Sequence, residues 1–214
     1  MAGRVDSVLV LLALTSVLLL GSSRLVRCIR IVAFQGMLLA VLTLAVHAHA
    51  LTLRVAMLAA TILALKGAAF PWLLSRVLQE ADVRREIEPL VSYVSSMLVG
   101  VVGFAVSFWL SERLPLPKPP ISSLVLPVAL FTTLVGLFLI VSRRTALTQV
   151  LAYLVLENGI YTFGVGLVHG TPMVVELGVL LDVFVAVFVM GIAIFHINRE
   201  FDHIDANQLA ALRD

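Results

Sequence analysis

Apolar positions in this chain run on continuously instead of alternating with polar ones. Uncharged stretches of 17, 23, 23 and 24 residues occupy positions 7–23, 31–53, 89–111 and 119–142. A bilayer core takes roughly 20 apolar residues per helix. Three more stretches of that size are each interrupted by an ionisable residue: 55–75 by Lys66, 145–175 by Glu157 and 177–198 by Asp182. Lipid cannot hydrogen-bond the backbone, so spanning segments must be helices or a closed barrel. Barrel strands are shorter and alternate, so unbroken runs predict helices. The expectation is an all-α integral membrane protein of about seven transmembrane helices. The first run could alternatively be a cleaved signal peptide ending at Gly21, Ser22 and Ser23, but Arg4 opposed by Asp6 is a poor basic leader.

Composition sharpens this picture. Of 214 residues, 61% are apolar and 13% are charged, too few charges to coat a soluble globule of this size. A soluble enzyme, a nucleic-acid binder, a disordered chain and a disulfide-stapled secreted domain are excluded. The formal charge of +2 points to no polyanionic partner. Cys28 stands alone, so neither a disulfide nor a thiolate metal cluster is available.

Lys and Arg in short loops are retained on the cytoplasmic side. One set of turns collects Arg24, Arg27, Arg30, Arg76, Arg84, Arg85, Arg143, Arg144, Arg199 and Arg213; the other has Arg4, Arg54, Arg113 and Lys118. The amino terminus is therefore expected outside and the carboxyl terminus in the cytoplasm.

Residues 1–214 read as one membrane domain: a first three-helix unit at 1–88, a linking helix and loop at 89–118, and a second three-helix unit with a tail at 119–214. The two units form a faint repeat, each with a basic turn, a second helix bearing a polar residue and a third helix interrupted by an ion. The loops are too small for an extra-membrane domain. Residues 80–88 mix acids with Arg84 and Arg85 as a solvated turn would. Pro115, Pro117, Pro119 and Pro120 predict a stiff outer connector. Residues 202–214 carry Ile204, Leu209 and Leu212 at amphipathic spacing, suited to a membrane surface or a partner.

Charge inside the membrane costs on the order of 2.5–3.5 kcal/mol per residue, so Lys66, Glu157 and Asp182 are candidate functional groups. The plain alternative is a protonated carboxyl or snorkelling ammonium that only joins helices. Counted along their helices from the cytoplasmic ends, Lys66 and Glu157 both lie about 12–14 Å deep and Asp182 about 20 Å. The first two can share a layer, and Asp182 is within reach of a chain of one or two waters. Burial favours a neutral carboxyl and a nearby ammonium favours the charged form, so such a pair can exchange or gate a proton on a small change of distance. Asn158 and Gly159 follow Glu157 in mid-helix, where a bulge that rotates the carboxyl is expected unless Gly159 serves close packing. Pro71 is expected to kink the third span. Gln35 reads as shallow and as an interhelical hydrogen bonder. His196, with His203, lies at the cytoplasmic exit as a possible proton acceptor. His47 and His49, two apart at the outer end of the second span, face different ways and read as interfacial. No phosphate loop, zinc motif, haem ligand pair or catalytic triad is present.

The stretch "VSRRTALTQVLAYLVLENG" from Val141 to Gly159, with "VELGVLLDVFVAVFVM" and the tail "HIDANQLAALRD", resembles the hydrogenase-4 component E family. The second half is similar, more distantly, to the three-helix K subunit of respiratory complex I. Counted from Arg143, that subunit's glutamate position falls on Leu154, one turn before Glu157. The resemblance implies a non-catalytic membrane subunit of a complex-I-like assembly, such as a membrane-bound hydrogenase or formate hydrogenlyase. It also implies antiporter-like membrane partners and a peripheral redox arm carrying nickel-iron and iron-sulfur centres, with no cofactor in this chain. On this reading Lys66, Glu157 and Asp182 form the proton relay, with Gln35, Asn158 and His196 as relay or packing groups. The rival readings are a passive anchor whose buried ions fix helix register, a stand-alone carrier or receptor, and a retinal-type Schiff base on Lys66.

Overall fold

The computed structural model describes residues 2–48, 51–80, 90–114, 121–143 and 145–167, and these are helical apart from short turns. Helix α1 (Ala2–Leu20) ends at a tight turn in which Ser22 N–H bonds Leu19 carbonyl at 3.2 Å. Arg24 is extended and opens α2 (Leu25–Val46). Thr52 caps α3 (Leu53–Ile62), its hydroxyl accepting from Val55 N–H at 3.3 Å and satisfying one of the donors a helix start leaves open. A π-helical segment, Leu63–Ala69, joins α3 to α4 (Phe70–Glu80) without a break. Ser92 caps α5 (Tyr93–Arg113), and α6 (Val125–Ser142) and α7 (Ala146–Leu167) form a hairpin around extended Arg143.

Among the described residues, five helical stretches are long and apolar enough to cross a membrane: Gly3–Leu20, Leu25–Val46, Leu53–Gln79, Tyr93–Arg113 and Val125–Ser142. The expected run 145–175 contributes α7. The run 177–198, the loop 115–120, the turn 81–88 and the tail 202–214 lie outside the described residues.

Helices α1, α2, α6 and α7 make the centre, with α3–α4 laid against α2 and α5 against α1 and α6. Buried Leu9, Leu12, Leu39, Leu42, Phe131 and Val155 fill it. The outer helices turn apolar surface outward at Leu53, Met57, Leu63 and Trp72 on α3–α4, and at Val94, Leu98, Val101 and Trp109 on α5. That is the inverse of a soluble protein and suits a lipid solvent. Small residues set the close crossings. A Cβ on Gly136 would meet the backbone of Leu156, and one on Gly159 the backbone and hydroxyl of Thr133. Across the α1/α6 crossing, Ser122 donates to the Asp6 carboxylate while accepting from Leu124 N–H.

Of the two alternatives after Glu157, a bulge or close packing at Gly159, the second holds. Helix α7 stays α-helical through Asn158 and Gly159, because Gly159 is spent on contact with α6. The irregularity falls in the third span instead. Pro71 offers no N–H and its ring would press on the carbonyl four residues back. The chain widens just before it, so that Phe70 N–H bonds the Leu65 carbonyl five residues back. The widened turn carries Lys66.

Candidate functional site

Lys66 enters the bundle from this π segment, brought close by a glycine on α2. A Cβ on Gly36 would lie 2.6 Å from Lys66 Cβ and 2.8–2.9 Å from its carbonyl group, so only glycine permits the approach. The Lys66 Nζ then sits 3.0 Å from Glu157 Oε1, with both side chains 3–4% exposed. The shared layer inferred from helix depth is a buried ion pair.

The ammonium also orders its neighbours. It donates to Asn158 Oδ1 at 3.3 Å, which turns the Asn158 amide so that Nδ2 donates to Gln35 Oε1 at 3.2 Å. That in turn leaves Gln35 Nε2 to donate to Thr15 Oγ1 and Ser16 Oγ, each at 3.1 Å. Both hydroxyls donate to the Leu12 carbonyl, and Ser16 also reaches Thr132 Oγ1 at 3.4 Å. The cation thus sets the direction of a hydrogen-bonded chain through α2, α7, α1 and α6. Gln35, read as shallow, is fully buried and stands in the same layer as Lys66. Placing two charges out of water costs several kcal/mol per ion and is tolerable only where the partner geometry and the remaining hydrogen bonds are good; the close approach of Glu157 and the Asn158 bond supply this for the ammonium.

A second seam leaves the pair along α2 and α7 toward the end at which α2 stops. Tyr161, one turn beyond Glu157, has its ring centroid 5.9 Å from Lys66 Nζ, within cation–π range. Its hydroxyl lies 2.9 Å from Thr43 Oγ1, and the half-buried His47, one turn beyond Thr43, bonds the Thr43 carbonyl through Nδ1 at 3.0 Å. Toward the opposite end, Arg143 is 4% exposed. Its guanidinium donates to Leu20 carbonyl at 3.1 Å, at the end of α1, and lies 4.6 Å from the Tyr93 ring centroid. A cavity of about 20 Å³, room for one water, is lined there by Ser22, Cys28, Arg143, Thr148 and Val155.

Lys66, Glu157, Asn158 and Gln35 are therefore brought together, whereas Asp182, His196, His203 and His49 lie outside the described residues. Sequence reading passed over Thr15, Ser16, Thr132, Thr43 and Tyr161, because hydroxyl residues are common in apolar helices and bond their own backbone. The available signal was spacing: Thr43 with His47, and Glu157 with Tyr161, each stand four apart and so share a helix face. Arg143 carried only its topological meaning; nothing in its neighbours marks it as buried. Among the described residues no three His, Cys, Asp or Glu side chains converge in a way that could hold a metal ion.

No family model matches the chain, and no solved structure matches it. It is 33% identical over 204 residues to the Mycobacterium tuberculosis protein "Uncharacterized protein Rv0085", covering 95% of this chain and 93% of that one. It is 32% identical over 124 residues to hydrogenase-4 component E of Escherichia coli K12 and of Shigella flexneri, covering 58% of this chain and 55% of theirs. The chain spans about half the length of those hydrogenase components. Near-complete overlap with Rv0085 places this membrane protein in that protein's family, with homology to hydrogenase-4 component E over part of its length.

Proposed function

We propose that the chain is a membrane subunit of a redox-driven, ion-translocating assembly of the hydrogenase type, and that Lys66 and Glu157 are its relay for protons. The observation that carries this is the buried pair itself, 3.0 Å apart and held by an ordered amide chain, in a protein homologous to hydrogenase-4 component E. An ammonium and a carboxylate in contact can pass or gate one proton when their separation changes. Asp182 extends the relay from the last of seven spans, and His196 receives the proton at the cytoplasmic exit. The amino terminus lies outside and the carboxyl terminus in the cytoplasm, as the distribution of Arg and Lys in the turns favours. The subunit performs no redox chemistry; nickel-iron and iron-sulfur centres belong to a peripheral arm, and antiporter-like subunits flank it in the inner membrane. On this reading the second three-helix unit, residues 119–214, is the counterpart of the complex I K subunit.

The test is Glu157→Gln in the intact assembly. This change keeps the side-chain shape and removes the charge. The expected result is an assembly that still co-purifies with its larger membrane subunits and transfers electrons, but moves few or no protons per electron. Unchanged coupling would reduce the chain to an anchor, and a wild-type chain that purifies alone from gently solubilised membranes would remove the assembly from the reading.

A further inference from the structure

We propose that Tyr161, Thr43 and His47 form the arm through which protons pass between the Lys66–Glu157 pair and the membrane face at which α2 ends. This rests on the relay function proposed above and adds its route. Two chains of polar groups leave Lys66, and their chemistry differs. The chain through Asn158 and Gln35 consists of amides, which donate at nitrogen and accept at oxygen and do not hand on a proton without changing their bonding. It therefore positions the ammonium. The other chain consists of a phenol, an alcohol and an imidazole, each of which can take a proton on one side and release one on the other.

The geometry suits such a path. Tyr161 Oη and Thr43 Oγ1 are 2.9 Å apart, inside a seam where Thr43 is fully buried and Tyr161 nearly so. Glu157 and Tyr161 are one turn apart on α7, and Thr43 and His47 one turn apart on α2, so each helix presents its two groups on one face. From Gln35 in the Lys66 layer to His47 is 12 residues, about 18 Å along α2. His47 is half-buried at the end of that helix, and with Nδ1 on the Thr43 carbonyl its Nε2 is left to exchange protons with solvent. Thr43 Oγ1 donates to the Leu39 carbonyl at 2.8 Å and so accepts from Tyr161 at rest; the path requires that hydroxyl to turn, one water between Lys66 and Tyr161 Oη, and another between Thr43 Oγ1 and His47 Nε2. In the outward direction the ammonium of Lys66 gives up a proton and becomes an amine. The two hydroxyls each accept one proton and pass on another, ending neutral. His47 becomes imidazolium and then loses its proton to bulk water, while Lys66 is recharged from the Glu157 side.

The experiment measures protons moved per electron, and the rate of proton movement, in membrane vesicles carrying the whole assembly with hydrogen as donor. Tyr161→Phe keeps the ring against Lys66 and removes the hydroxyl. It should slow proton movement by about 10²-fold, the lower end of what one positioned proton-transfer group contributes. Thr43→Val should do the same and Thr43→Ser should restore the rate, which a purely packing role would not require. His47→Ala should be slow and be rescued by millimolar imidazole added to the compartment facing the α2 end, not to the other. If Glu157→Gln is impaired but the Tyr161, Thr43 and His47 variants match wild type, the arm is wrong and the relay stands. If Glu157→Gln also matches wild type, or wild type moves no protons, both are wrong.

Discussion

Removing one member of the Lys66–Glu157 pair should destabilise the protein far more than removing both. At 3.0 Å and an effective dielectric constant of about 20, the attraction is about 5–6 kcal/mol. Substituting one partner leaves the other charge buried and uncompensated, at a cost of about 3–5 kcal/mol. Lys66→Met and Glu157→Leu singly should each show this loss. The double variant replaces the pair with apolar groups of similar length and should return to within about 1 kcal/mol of wild type, or exceed it. The coupling would then be larger than the roughly 0.5–3 kcal/mol usual for touching residues. The chain carries its own reporter: Cys28 is the single cysteine in the sequence and is buried. A fluorogenic maleimide therefore reports unfolding on heating in detergent without any added label. At about 2–4 °C per kcal/mol for a chain of this length, each single variant should lose about 6–20 °C. Single variants that melt with wild type, or a double variant that melts at the sum of the two losses, would mean that the two charges are separately solvated and do not face each other.

Two further expectations concern what holds the pair in place. Gly36→Ala puts a methyl 2.6 Å from Lys66 Cβ, against backbone that cannot step aside. It should cost about 1–3 kcal/mol as overpacking in the same thiol assay, and Gly103→Ala on α5, with open space around it, should be silent. Arg143→Ala removes the donor at the end of α1 and the cation over Tyr93. The loss should be about 1.5–3 kcal/mol, and Arg143→Lys should recover little of it, because an ammonium lacks the planar fork that donates and stacks at once.

Lys66 and Glu157 were legible as partners because helix depth is a matter of counting: both lie about the same number of residues from a helix end. The position of the irregular turn was not legible. Asn158–Gly159 and Pro71 both carry helix-weakening residues, and which one distorts depends on the neighbour. Gly159 is occupied by Thr133 of α6, whereas the carbonyl on which the Pro71 ring would press, that of Gly67, lies inside the widened turn. Gln35 looked marginal on its own helix, and only the convergence of α1, α2 and α7 makes it the hub between two serine and threonine hydroxyls and Asn158.

The class of structure was already contained in the order of residues. Lipid offers no hydrogen bonds, so every long apolar run must satisfy its backbone within itself and becomes a helix whatever surrounds it. That reasoning is local, and among the described residues it yields the helical runs and the common layer of Lys66 and Glu157. Rotation and crossing of the helices are not local. They follow from where small residues let two backbones touch, at Gly36, Gly136 and Gly159, and a shift of one residue at any of these contacts turns a side chain by about 100° around its helix. Only the packed bundle therefore decides that Lys66 meets Glu157 and Asn158, that Tyr161 meets Thr43, and that Arg143 is drawn inside.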